Sequence, residues 1–103
     1  MSKAEKLERA WRNGAISDVK EQDMLLVLRE NGFELRQDRG DHWLAEHKGL
    51  ANHQRFGIGQ KLGRIKVNCH YKGNKGHVHP FAVKDVLRGL TAIREEDMEG
   101  NIQ

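Results

Sequence analysis

Residues 32–47, GFELRQDRGDHWLAEH, decide the fold. Phe33, Leu35 and Gln37 alternate with Glu34, Arg36 and Asp38, the two-residue period of a strand with one buried face. Asp38-Arg39-Gly40-Asp41 has the composition of a turn: glycine tolerates positive φ, and aspartate can bond its own backbone. The chain then returns through His42-Trp43-Leu44-Ala45, so the stretch predicts a β-hairpin. His42 falls at the first position after the turn. A side chain there is fixed by the sheet yet open to solvent, which suits a catalytic imidazole.

Upstream, Asp18 to Asn31 predicts a helix with Asp18 as N-cap and Glu21 completing a capping box. Met24, Leu25, Val27 and Leu28 supply its apolar face, and Asn31-Gly32 ends it through a left-handed residue. Before it, Lys3 to Asn13 predicts an extra helix, with Ala4, Leu7 and Trp11 on one stripe and Gly14 closing it. Trp11 is expected to be a packing anchor. Downstream, residues 48–63 carry four glycines and little periodicity, which predicts a long loop or a short inserted element. Gly57-Ile58-Gly59 does not match the spacing of a dinucleotide-binding glycine motif, whereas Arg55, Lys61 and His53 suit a loop that tracks a phosphate backbone. Arg64 to His70 reads as a third strand, with Ile65, Val67 and Cys69 inward and Arg64, Lys66, Asn68 and His70 outward. Residues 71–76 read as a basic turn. Pro80 opens a last helix carrying Val83, Val86, Leu87 and Leu90, and residues 95–103 read as an acidic, frayed tail. The expected fold is α+β: an extra N-terminal helix, then α-β-β-β-α, with a three-stranded antiparallel sheet covered by helices on one face.

Length and composition fit one domain. A single cysteine excludes an internal disulfide and suits a reducing cytosol. No apolar run reaches the roughly 20 residues of a membrane span, and the charged N-terminus is not a secretory signal. The expectation is a cytoplasmic, soluble protein. Its net charge of +3 conceals an asymmetry: residues 1–35 are net −1, residues 36–88 net +7 with all six histidines, and residues 89–103 net −3. A basic field of that kind predicts a polyanionic partner, set against the plainer alternative of a solvated basic surface.

The run helix, Asn31-Gly32-Phe33, turn, Gly40-Asp41-His42, apolar strand, then a basic strand ending in histidine and a short helix, resembles the HicA (YcfA-like) toxins of bacterial toxin–antitoxin systems. The resemblance covers roughly residues 19–93. Members are small mRNA interferases with a double-stranded-RNA-binding-domain-like fold, each neutralised by a HicB antitoxin. Their usual signature is Gly-Ser-His; here Asp41 replaces the serine and the histidine is kept. The resemblance implies an RNA-binding and catalytic domain over residues 16–94, with an insertion at about 48–63. Residues 1–15 lie before the part it covers. It also implies mRNA as substrate and a HicB-like antitoxin as partner.

The histidines admit three chemistries. In the first, His42 is a general acid/base for RNA cleavage, since an imidazole of pKa near ~6.5 can take the 2′-OH proton or protonate the leaving 5′-oxygen. Arg36, Arg39, Lys66, His70, Lys72 and Lys75 are then the RNA-binding residues, with His70 and Lys66 positioning phosphate from one strand face. No metal or cofactor is assigned. Asp41 would raise the pKa of His42 if its carboxylate faced the ring; as a strand neighbour it is also free to serve the turn alone. In the second, Cys69, His70, His77 and His79 bind zinc, although Cys69 is expected to point into the core and no familiar ligand spacing is present. In the third, the protein is a non-catalytic RNA-binding or interaction module, and His47, His53, His77 and His79 are ordinary polar residues.

Overall fold

Three strands, Glu34–Arg39 (β1), His42–Glu46 (β2) and Arg64–Asn68 (β3), form an antiparallel sheet in the order β1-β2-β3. The structure is a computed structural model that describes residues 1–51, 53, 56 and 63–102, the last seven of these as backbone. Arg55, Lys61 and the Gly57-Ile58-Gly59 run lie outside the described residues. Three helices, Lys3–Arg12 (α1), Glu21–Glu30 (α2) and Pro80–Ile102 (α3), complete the main body. A small second ribbon pairs His70–Tyr71 (β4) with Asn74–Lys75 (β5).

The pleat sorts the sheet residues into two faces. Trp43 pairs with Val67, and Ala45 pairs with both Leu35 and Ile65. These residues lie in the core or against it, beneath α2 and α3. The same core takes Met24, Val27 and Leu28 from α2 and Val83, Val86 and Leu90 from α3. Helix α3 comes very close to β3: a Cβ built on Gly89 would lie 2.6 Å from Ile65 Cδ1. Helix α1 belongs to this core too, since Ala4 and Trp11 are buried in it. Glu8 of α1 ties the three helices together. Its carboxylate accepts from Arg94 Nη1 at 2.6 Å, Arg94 Nη2 at 2.7 Å and Arg12 Nε at 2.9 Å. Arg94 also reaches Asn31 Oδ1, at the end of α2. These guanidinium bonds, Arg94 first, hold the Glu8 pKa below its ordinary value despite burial.

Four local expectations are corrected. Asp18 does not cap α2; Lys20 is the N-cap residue and makes no side-chain cap. Residues 19–20 are instead extended: Lys20 forms a β-bridge with His77, and the Val78 N–H donates to the Val19 carbonyl. This pairing leaves Asp18 outside the helix, where it meets His77. The strand from Arg64 does not run on to His70. It breaks at Cys69, whose N–H donates to the Asp41 carbonyl while its own carbonyl accepts from Gly76, so the chain leaves the sheet there. In the hairpin, Arg39 pairs with His42, and the ladder is irregular between Gln37 and Arg39. Gly40, at φ +43°, then starts a two-residue loop. Finally, residues 95–102 are helical. Ala92 and Ile93 extend the buried stripe of α3, and the acidic residues beyond are helix formers with no proline among them.

The insertion begins with a 3₁₀ turn, Lys48–Leu50, that buries Leu50 completely. Further along, Phe56 is also in the core. Gly63 returns the chain to β3, its N–H donating to Phe56 and its carbonyl accepting from His47. No helix among the described residues is long and apolar enough to cross a membrane.

Candidate nucleic-acid interface

Because Trp43 and Ala45 enter the core, His42 and Leu44 stand on the opposite face of β2. Register then fixes their neighbours. Leu44 lies between Arg36 on β1 and Lys66 on β3; His42 lies between Arg39 and Asn68. The irregularity near the hairpin tip matters here, because strict alternation from Leu35 would have sent Arg39 to the core face. His42 is half-buried, and among the described residues its ring makes no side-chain hydrogen bond or ion pair. Arg39 and Lys66 are exposed, and likewise make no ion pair among the described residues. Arg36 is engaged: its guanidinium meets Glu46 at 3.2 Å, and Glu46 also meets Arg64 at 3.1 Å.

His70, Lys72 and Lys75 are not on this sheet. They belong to the β4–β5 ribbon, where His70 pairs with Lys75 and Lys72-Gly73 forms the turn, both at positive φ as a primed hairpin turn requires. The expected strand face shared by Lys66 and His70 is therefore interrupted by the Cys69 break. His70 carries its own complication. Its Nδ1 lies 3.6 Å from the Asp41 carboxylate, so Asp41 faces His70 across the turn rather than serving the turn alone. The adjacent carboxylate offsets the attraction that a protonated His70 would exert on an anion.

The zinc constellation is dispersed. Cys69 is fully buried, and its thiol is pushed up to about 12, by burial first and then by the Glu21 carboxylate. Glu21, half-buried, in turn accepts from Trp43 Nε1 at 3.0 Å, a use of Glu21 that the sequence pattern did not indicate. His77 pairs with Asp18 at 3.1 Å, and His79 Nδ1 accepts from the Phe81 N–H at 3.2 Å, capping α3. Among the described residues, no group of three or more histidine, cysteine or acidic side chains is placed to hold a metal ion. His47 Nδ1 similarly accepts from the Gly49 N–H, and its ring packs on Phe33. His53 lies against Phe56.

One cluster was missed in the sequence. Tyr71, His79 and Phe81 form a chain of ring contacts beside the ribbon, with Lys72 and Lys84 over its two ends. Its signal is the interleaving of aromatic, histidine and lysine residues over 71–84. No family model, curated protein or solved structure matches the chain.

Proposed function

We propose that the chain is a HicA-like toxin, a metal-independent endoribonuclease that cleaves mRNA with His42 as general acid/base. The observation that carries this proposal is the position of His42: on the sheet face away from the core, at the hairpin, between Arg39 and Asn68 and one pleat from Lys66. The helix–three strands–helix order of α2, β1–β3 and α3 supports a double-stranded-RNA-binding-domain-like fold. His42 removes the proton from the ribose 2′-OH, and the 2′-oxygen attacks the adjacent phosphorus. The leaving 5′-oxygen then takes a proton from the imidazolium. Arg39 and Lys66 neutralise charge gathering on the phosphoryl oxygens. Positioned proton transfer of this kind contributes on the order of 10²–10⁴-fold, and the slow cleavage it implies suits a growth-inhibiting toxin. In this proposal a HicB-like antitoxin neutralises the toxin by covering the same open face.

A second function, RNA binding without cleavage, is favoured by one observation. No group among the described residues hydrogen-bonds the His42 ring, so none fixes its tautomer. The two are separated by induced expression in bacteria together with cleavage of RNA by purified protein. His42→Ala should lower cleavage by ~10²–10⁴-fold and relieve growth arrest while RNA binding persists. Cleavage unchanged by that substitution removes His42 from the mechanism. A wild-type protein that binds RNA and never cuts it establishes the binding module.

A further inference from the structure

Phe81 is 70 % exposed, the most exposed large apolar side chain among the described residues. A single exposed ring is ordinary on a protein surface. What sets this one apart is its company. Its ring stacks on His79 with centroids 5.2 Å apart and planes 16° apart. His79 in turn meets Tyr71 edge-on, at 4.7 Å and 70°. Two ammonium groups stand over the ends of the array, Lys72 at 5.3 Å from the Tyr71 centroid and Lys84 at 5.8 Å from that of Phe81. His79 is held by three bonds or contacts: its Nδ1 caps the Phe81 N–H, its ring meets Tyr71, and its own N–H donates to the Asn68 carbonyl at 2.9 Å. The platform is thus pre-ordered, with Tyr71 and His79 half-buried and the phenyl ring of Phe81 the part most open to water.

We propose that this array is a stacking site for an unpaired nucleobase, and that the RNA it takes is single-stranded. An open aromatic face accepts any base, because every base has a π-face, and lysines beside it meet the flanking phosphates. The Lys84 ammonium over Phe81 is displaced without loss of attraction, since it moves from the ring to a phosphate. Charge complementarity points to a nucleic acid rather than a protein: Lys72 and Lys84 stand over the rings, and Asp85, one turn along α3 from Phe81, already pairs with Arg88. The site also adjoins the open sheet face. Asn68, whose carbonyl accepts from the His79 N–H, is the cross-strand partner of His42, so one residue separates the two histidine backbones. An RNA strand held by Phe81 therefore has its neighbouring nucleotides on the side of the molecule that carries Asn68 and His42, and a paired base, already stacked within its helix, cannot use the platform. The inference rests on the protein being an RNA binder, and deepens it by naming single-stranded RNA.

The test uses the full chain and two probes: a 12-nucleotide single-stranded RNA carrying one fluorescent 2-aminopurine, and the same strand annealed to its complement. Wild-type protein should quench the 2-aminopurine of the single strand, the signature of stacking, and bind that strand more tightly than the duplex. Phe81→Leu, which keeps apolar bulk but loses the plane, should bind the single strand ~5- to 140-fold more weakly and lose the quenching. Phe81→Trp should restore both, and duplex binding should stay the same in all three proteins. Unchanged single-strand affinity and quenching in Phe81→Leu overturns the stacking site alone and leaves the patch to a protein partner. A wild-type protein that binds neither probe overturns the RNA reading as well. Phe81 is exposed, so matching thermal melts of the variants are expected, and a loss confined to the single strand is not a folding effect.

Discussion

Replacing Glu8 by glutamine should lower the melting temperature by about 9 °C at pH 7. Glu8 is only 8 % exposed and accepts three guanidinium bonds from residues 12 and 94. Charge-assisted bonds contribute roughly 1.5–3 kcal/mol each, but that range is an upper bound here. The Arg94 side chain is 51 % exposed and that of Arg12 38 %, so water replaces part of what they lose. Glutamine keeps the volume and one acceptor oxygen, while its NH₂ faces a guanidinium N–H, donor against donor. The net cost is about 2 kcal/mol, and with an unfolding entropy of about 0.22 kcal/mol/K for a chain of this length it converts to about 9 °C. The pH dependence supplies the sharper check. The folded-state pKa of Glu8 lies below its ordinary 4.5, so its contribution is complete above about that pH and is lost as pH falls through the folded value. Circular-dichroism melts of both proteins from pH 7 down towards pH 3 should show the gap narrowing only below about pH 4.5. A variant that melts within 2 °C of wild type at pH 7, or a gap that does not change in acid, refutes the assignment of Glu8 as the tie between α1 and α3.

Two further outcomes follow from the packing. Cys69, with its thiol at about 12 and fully buried, holds about one part in ten thousand as thiolate at pH 8. Native protein should therefore leave a chromogenic disulfide reagent unreacted for as long as it stays folded, and release one equivalent in denaturant; prompt native reaction would contradict the burial. Gly63→Ala meets two penalties at once, a backbone φ of +73° and a Cβ 2.8 Å from the His47 carbonyl oxygen. A loss of about 2–4 kcal/mol is expected in denaturant titration, and a change under 1 kcal/mol would mean that the return from the insertion to β3 is loosely held.

The chain itself dictated the elements, because periodicity is local. Alternation from Phe33 made the hairpin, the spacing of Met24 to Leu28 and of Val83 to Leu90 made two amphipathic helices, and Pro80 marked where the last one starts. The inward aim of Cys69 and the outward aim of Lys66 came from the same two-residue period, and the place of His42 from the turn just before it. Tertiary structure decided which charges meet. The Val19–Val78 and Lys20–His77 pairings moved the start of α2 and set Asp18 against His77 instead of over the helix. The break at Cys69 took His70 off the sheet and placed it opposite Asp41. The ladder irregularity near Gly40 set Arg39 across from His42. Tyr71 met His79, and through it Phe81, only when the ribbon folded back on the start of α3. A periodic pattern records which side of its own backbone a residue takes, whereas register, breaks and long-range pairing arise from how separate segments pack.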